Sequence, residues 1–184
     1  MPRAGLDVDG VLKAAASLAD ADGLERLTLA RLADRLGIRA PSLYAHVDGL
    51  PDLRRRLADR AAGELAAALQ AAAAGRAGRD ALAAVADAYR AYALAHPGSY
   101  AALQPAPELA GSAAARDVVD VVVAVLRGYG LEGDDAIHAV RVIRAALHGF
   151  VMLETGSGFG IDLDLDESFA RLVATLDKGL VSSA

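Results

Sequence analysis

Asp135 and His138 have the residue types and spacing of a metal-binding pair. They lie three residues apart, so a helix would place both side chains on one face. A di-iron helical bundle, however, needs two Glu-x-x-His units and further carboxylates, which this sequence lacks. The absence of cysteine also excludes thiolate zinc sites, iron–sulfur ligation and cysteine nucleophiles. The sequence therefore predicts no metal site at this pair.

The aspartates at 162, 164 and 166 resemble the beginning of a calcium loop. Glu167 and Val173, however, stand where such a loop requires glycine and glutamate. The glycines between residues 156 and 160 follow a predicted helix instead of a strand, which excludes a dinucleotide-binding fingerprint. The sequence has neither a Gly-x-Ser-x-Gly nucleophile motif nor a phosphate-binding loop. We expect neither enzymatic activity nor a cofactor.

The distribution of charge favours binding of a polyanion by the first third of the chain. Residues 1–60 contain 10 basic and 9 acidic side chains, whereas residues 61–184 contain 9 and 15. The formal net charge of the whole chain is −5. Any binding of nucleic acid is therefore expected in the first third.

Composition and periodicity predict an all-α fold of about nine helices. Alanine supplies 44 of the 184 residues, and only three phenylalanines and five tyrosines are available as aromatic core residues. Spacing and capping residues predict helices over 8–22, 29–36, 41–46, 113–128, 134–155 and 166–180, with two more beginning near 52 and 79. One short turn of helix or a loop, with Pro105 and Pro107, is expected between 99 and 111.

No run of residues reaches the roughly 18 to 20 consecutive apolar side chains that a membrane span requires. The N-terminus lacks the apolar core of a signal peptide. We therefore expect a cytoplasmic protein that does not enter a membrane.

Residues 29–47 satisfy the packing requirements of a helix-turn-helix. Ala33 would lie where the two helices cross, and Gly37 would permit the tight turn. Leu32, Ile38 and Leu43 would fill the small shared core. These features alone are equally compatible with a helical hairpin that ends in a glycine cap.

Two longer strings carry a specific resemblance. Residues 27–47, LTLARLADRLGIRAPSLYAHV, resemble the DNA-binding domain of the tetracycline-repressor (TetR) family. RAALHGFVMLE at 144–154, GFG at 158–160 and DESF at 166–169 resemble a C-terminal regulatory domain that is common in the same family. The resemblance implies a three-helix DNA-binding domain at 1–50 and a helical ligand-binding and dimerisation domain at 51–184. It further implies a homodimeric transcriptional regulator, acting as a repressor, that binds a palindromic DNA operator and is released by a small ligand. The largely apolar pocket predicted below favours a hydrophobic ligand.

The resemblance also implies which residues contact DNA. The phosphate-binding residues would be Thr28, Tyr44 and His46. The residues facing base edges would be Arg39, Ala40, Pro41, Ser42 and Ala45.

The chain departs from the family pattern at several DNA-facing positions. Ala30 and Ala40 replace long polar base-reading side chains, and Asp48 and Leu50 replace a turn that usually carries lysine. We therefore expect few direct base contacts. Arg39 is open to either of two roles, because it could pair with a guanine or bind only phosphate. The arginines at 54–56 cannot all face DNA, and at least one is expected to be solvated or paired with Asp52 or Asp59.

A second set of residues is predicted to line a largely apolar ligand pocket with a few polar groups. This set comprises Tyr89, Tyr92, His96, Tyr100, Leu126, Ala145, His148 and Met152. The alternative is that these are ordinary residues of the core and its rim.

The last two long helices have more apolar surface than one subunit can cover, which predicts a four-helix dimer interface. Its predicted residues are Ile137, Arg144, Val151, Phe169, Leu172 and Leu176.

A different class of function remains open from the sequence. A helical small-molecule-binding protein, or a helical enzyme without DNA-binding activity, would also fit the acidic net charge and the missing turn lysine. The sequence does not specify the inducer, the operator sequence, the regulated genes or whether the protein represses or activates them.

Overall fold

The computed structural model describes residues 6–104 and 111–181, and this part of the chain is all-α, as predicted. It contains eight α-helices and two short 3₁₀ helices. The α-helices are α1 (Val8–Asp22), α2 (Leu29–Leu36), α3 (Gly49–Ala73), α4 (Gly78–Ala95), α5 (Pro97–Ala102), α6 (Ala113–Arg127), α7 (Gly133–Thr155) and α8 (Leu165–Val181). The 3₁₀ helices are Leu24–Arg26 and Ala40–Ala45, and we call the second the recognition helix. Pro105 and Pro107 lie outside the described residues.

The chain divides into two compact units. The first comprises Met1–Gly63 and Ala95–Ala115, and the second comprises Glu64–Leu94 and Arg116–Ala184. Helix α3 begins in the first unit and ends in the second. The assignment of DNA binding to 1–50 and of regulation to 51–184 stays a prediction, because compactness does not assign function.

Side-chain hydrogen bonds cap the first two α-helices. The Asp7 carboxylate accepts a hydrogen bond from the Gly10 amide at 2.7 Å, and the Thr28 hydroxyl oxygen accepts one from the Arg31 amide at 3.2 Å. Gly37 ends α2 in the left-handed conformation with φ of 66°, which an L-residue with a side chain rarely adopts. These local signals fix where α1 and α2 begin and where the turn of the helix-turn-helix lies.

The core of the first unit forms where α1, α2, the recognition helix and the start of α3 pack together. Leu32 and Ala33 of α2 are buried beside Leu43 of the recognition helix, as the sequence predicts. The other buried side chains of this core come mainly from α1 and α3 and include Val11, Ala15, Leu18, Leu53 and Leu57. Burial of these apolar stripes positions the recognition helix.

Helix α5 lies directly against the end of α1. The Asp20 carboxylate of α1 accepts hydrogen bonds from the Ser99 amide at 2.7 Å and from the Ser99 hydroxyl at 3.3 Å. A Cβ atom added to Gly98 would lie 2.1 Å from both the carbonyl carbon and the oxygen of Ala19. The close approach of the two backbones therefore requires glycine at 98.

We expect Gly98→Ala to destabilise the protein by about 1 to 3 kcal/mol, because the added methyl group must push α5 away from the α1 backbone. Chemical denaturation followed by circular dichroism measures this loss. Gly179→Ala is the matched control, since a Cβ at that helical glycine has no atom within 4 Å. Equal stability of the two variants would contradict the close α1–α5 contact.

In the second unit, the Arg90 side chain joins α4 to α7 and α8. Its guanidinium donates two hydrogen bonds to the Glu154 carboxylate, at 2.8 and 2.6 Å, and one to Asp166 at 2.7 Å. The same group lies 5.5 Å from the ring centre of Phe150 and 4.9 Å from that of Phe169. The hydrogen bonds to Glu154, opposed by burial, raise the pKa of Arg90 above its ordinary value. Arg90 is thus a charged centre of the contact among three helices.

Helix α6, which is rich in valine, lies in the segment 113–128 that the sequence predicts to be helical. Val122, Val125 and Leu126 of α6 are buried, so tertiary packing outweighs the local preference of valine for a strand. After this helix, the Tyr129 hydroxyl donates a 2.7 Å hydrogen bond to Asp177 of α8. Burial, together with this bond, raises the pKa of Tyr129.

Helix α8 begins with a side-chain cap from Asp164. Asp164, and not Asp166, accepts the amide hydrogens of Asp166 and Glu167, at 2.8 and 3.2 Å. Asp166 instead pairs with Arg90 from a distant part of the sequence, which no local pattern reveals.

One helix of the described residues, α7, has the length and apolar composition of a membrane span. Core helices of soluble proteins share this property, and only about a third of the apolar part of α7 is buried within the chain.

Candidate DNA-binding surface and regulatory region

The recognition helix exposes most of the residues that the sequence predicts to contact DNA. A 3₁₀ helix has three residues per turn, so residues three apart lie on the same side. Leu43 is fully buried, and the two other sides carry the pairs Pro41 with Tyr44 and Ser42 with Ala45. All four of these residues are exposed. The burial of Leu43 therefore orients the other two sides of the recognition helix outward.

Tyr44 is an aromatic residue with 62% of its surface exposed. Its hydroxyl has no hydrogen-bond partner among the described residues. Ala40 and His46, at the two ends of the same segment, are half-buried. An exposed phenol beside a half-buried histidine suits contact with a phosphate backbone.

Arg39 immediately precedes the recognition helix and has an extended backbone. Its side chain is exposed and makes no capping hydrogen bond to that helix. Its guanidinium is therefore available to a base edge or a phosphate.

Thr28 combines two possible roles without conflict. Its hydroxyl oxygen accepts the Arg31 amide as the α2 cap, which leaves the hydroxyl hydrogen available as a donor. Thr28 is exposed at the beginning of α2. All eight predicted DNA-contacting residues thus belong to one helix-turn-helix, in the first unit.

Most other arginines of the helix-turn-helix region are held by partners within the protein. Arg31 lies 2.5 Å from Asp22, and Arg35 donates a 3.1 Å hydrogen bond to Ser17. The partners are nine and 18 residues away, so sequence reasoning missed these pairs. The arginines at 54–56 are also held, as described below. Arg39 is therefore the chief unpaired cation beside the recognition helix within the described part of the chain.

Four predicted ligand-binding residues lie in the interior or near-interior of the second unit. Tyr89 and Tyr92 of α4 and Leu126 of α6 are buried, and His148 of α7 is half-buried. The Tyr92 hydroxyl lies 3.4 Å from the Glu64 carboxylate. Burial and the nearby positive charge of Arg144 lower the pKa of His148, which favours its neutral form.

The other predicted ligand-binding residues are placed differently. His96 and Tyr100 belong to the first unit, where His96 Nδ1 lies 3.4 Å from Asp20. Ala145 and Met152 are exposed on α7. Within a single chain neither residue is enclosed, and their predicted place in the ligand pocket stays a prediction. The helix turns its other side, which includes Ile143, Leu147 and Phe150, into the core.

An open groove of about 370 Å³ lies between α4 and α8. Its lining residues are Asp87, Arg90, Ala91, Leu94, Asp166, Phe169 and Ala170. None of them was predicted to bind a ligand. This groove is therefore distinct from the predicted ligand site.

The predicted dimer-interface residues fall into two groups. Ile137 and Arg144 are exposed on α7, and Leu172 and Leu176 of α8 are half-buried, so all four retain surface that a second copy can cover. Val151 and Phe169 are only 1% and 2% exposed within the chain. Within one chain these two side chains therefore keep almost no surface for a second copy, and their assignment to the interface stays a prediction. Periodicity alone cannot separate the two faces of a helix that is apolar on both.

The fold and this surface define a class of protein: a helix-turn-helix DNA-binding regulator with a helical C-terminal region. Residues 82–176 match the tetracyclin repressor-like C-terminal domain family. The chain is 41% identical over 182 residues to an uncharacterized HTH-type transcriptional regulator of Mycobacterium tuberculosis, Rv0681, and the match covers 96% of this chain and 83% of that protein. The chain belongs to the TetR family of transcriptional regulators.

Solved structures share the fold. A protein of unknown function from Rhodococcus sp. RHA1 has a TM-score of 0.81 and 26% identity, with 98% of this chain and 99% of that chain covered. BioQ, in a crystal structure with its double-stranded DNA operator, has a TM-score of 0.73 and 21% identity, with 97% and 99% covered.

Proposed function

We propose that this TetR-family regulator is a cytoplasmic homodimeric repressor that binds a palindromic operator and is released by a small hydrophobic ligand. The observation that carries the DNA-binding part is the outward-facing recognition helix beside the unpaired Arg39. Thr28, Tyr44 and His46 bind phosphates, and Arg39 with the recognition helix contacts base edges. The structure of BioQ with its operator supports operator binding by this fold.

Dimerisation is supported by the outer face of α7. Ile137, Val142 and Met152 are exposed apolar residues on a helix that is otherwise part of the core. Pairing of α7 and α8 with their copies removes this surface from water, and Ile137, Arg144, Leu172 and Leu176 belong to the proposed interface. The two helix-turn-helix domains of the dimer then bind the two half-sites of one operator.

Ligand binding is supported by the chemistry of Tyr89, Tyr92, Leu126 and His148. Their apolar surfaces, two phenol hydroxyls and a neutral-favouring imidazole suit a hydrophobic ligand better than a strongly charged one. Release follows if the ligand binds more tightly to the arrangement that does not bind DNA. Titration of the operator complex with hydrophobic small molecules tests this part, and a complex insensitive to all of them argues against it.

The direct test of DNA recognition is Arg39→Ala. We expect a loss of about 1 to 3 kcal/mol on the operator and a smaller loss on random DNA, because a guanine contact adds affinity only at its own base pair. Tyr44→Phe should weaken both DNAs alike. Fluorescence anisotropy with an operator selected from random duplexes measures both effects.

Arg26→Ala is the matched control, since this exposed arginine lies outside the recognition helix. Equal losses on operator and random DNA for Arg39→Ala would show that Arg39 binds only phosphate. Failure to select any duplex would overturn the proposed function itself.

A further inference from the structure

The Asp52 carboxylate, in the first part of α3, holds two arginines and one backbone amide. Arg55 Nη2 lies 2.6 Å from Asp52 Oδ1, and Arg56 Nε lies 2.8 Å from Asp52 Oδ2. The amide of Asp48, just before α3, donates a 3.1 Å hydrogen bond to the same Oδ2 atom. One carboxylate therefore occupies three donors between the recognition helix and the body of α3.

The environment of Asp52 keeps it ionised. Its side chain is only 13% exposed, whereas that of Arg55 is 56% exposed. Burial alone would raise the pKa of Asp52, but the hydrogen bonds from the Asp48 amide and the two arginines hold it below its ordinary value. At neutral pH the ionised carboxylate therefore partly neutralises the positive charge of Arg55 and Arg56.

The third arginine of this run, Arg54, faces a different direction. Its Nη2 atom lies 3.5 Å from the carbonyl oxygen of Leu24. None of the three consecutive arginines therefore presents a fully available guanidinium. Asp48, which directly precedes α3, is exposed and adds negative charge.

We propose that Asp52 limits non-specific DNA binding by this regulator and thereby increases its sequence specificity. Contacts between arginine and phosphate strengthen binding to every sequence alike. Because Asp52 binds Arg55 and Arg56, it reduces the contribution of phosphate contacts to DNA affinity. The contacts of Arg39 and the recognition helix then supply a larger share of that affinity. Asp52 is a specificity-determining residue that acts through the two arginines.

The test is Asp52→Asn, which removes the charge and keeps the shape of the side chain. We expect the affinity for random duplex DNA to rise about tenfold, and the slope of log K against log salt to steepen by about one for each arginine that gains a phosphate. The ratio of operator to random affinity should fall. Asp52→Glu, which keeps the charge, should remain close to the wild type.

Asp59→Asn is the matched control. Asp59 lies on the same helix and accepts a hydrogen bond from Ser112, so its replacement adds the same net charge without releasing an arginine. The proposal requires a clearly larger gain for Asp52→Asn than for Asp59→Asn. Equal gains would overturn it, because net charge alone would then explain the effect.

The double substitution Arg55→Gln/Arg56→Gln tests whether these two arginines contact DNA. In the otherwise unchanged protein it should alter random-DNA affinity less than about twofold, and in the Asp52→Asn background it should remove most of the tenfold gain. A severalfold loss in the unchanged protein would show that both arginines already contact DNA, which overturns the proposal. Operator binding by the wild type tests the proposed function separately, because it does not depend on Asp52.

Discussion

Val142→Glu is expected to dissociate the dimer and to reduce operator affinity by about 10² to 10⁴, since the advantage of two linked heads is lost. Val142 is 58% exposed on α7, so a glutamate there can remain in water in the monomer. In the proposed interface the same carboxylate would be buried opposite apolar side chains of the second copy. Because the dimer is two-fold symmetric, it would bury one unpaired glutamate from each subunit, which doubles the free-energy cost.

Analytical ultracentrifugation at micromolar concentration measures the dissociation, and circular dichroism checks that each subunit stays folded. Leu176→Glu, on α8, should have the same effect, because it belongs to the other half of the proposed four-helix interface. Leu94→Glu is the matched control, since Leu94 is exposed on α4, outside that interface. A stable dimer for both Val142→Glu and Leu176→Glu would refute the proposed interface.

Arg90→Met is expected to reduce the free energy of unfolding by about 3 to 5 kcal/mol, because it leaves the carboxylate of Glu154 without its partner. The Glu154 side chain is only 13% exposed, so water cannot fully replace the two lost hydrogen bonds. Methionine retains much of the packing volume between Phe150 and Phe169 but removes the positive charge near both rings. The melting temperature should fall by roughly 6 to 20 °C.

The double variant Arg90→Met/Glu154→Gln identifies the cause. It removes the isolated negative charge, and we expect it to recover a large part of the lost stability, as measured by urea denaturation. Asp166→Asn should cost far less, because the Asp166 side chain is 86% exposed and remains hydrated without Arg90. A double variant no more stable than Arg90→Met would mean that packing, and not the orphaned carboxylate, causes the loss.

The sequence predicts the helix-turn-helix well because its signals are local. Gly37 ends α2 in the left-handed conformation and Leu43 is buried, each as expected from residue type and spacing. The arginines at 54–56 are expected to include one that is solvated or paired with Asp52 or Asp59. Arg55 and Arg56 pair with Asp52, because residues three and four apart on a helix are neighbours. The family, through its two characteristic strings, is confirmed by the match over 82–176 and by the relatives.

The C-terminal region was harder to predict, because its helices are apolar on more than one side. Periodicity identifies α7 and α8 as helices but does not state which apolar side faces the core of the same subunit. Val151 and Phe169 are buried in the subunit, whereas Ala145 and Met152 are exposed. An exposed apolar residue and a buried one have the same sequence signature when both repeat at helical spacing.

By itself, the sequence determined the all-α class, the helix-turn-helix and the family, since these depend on caps, turns and spacing within short segments. Only the tertiary structure decided which arginines are available for DNA and which charges hold the helices together. Arg31 meets Asp22, and Arg90 meets Glu154 64 residues away. Such pairs depend on how separate helices pack, because a side chain's electrostatic partner is set by distance in space and not by distance along the chain.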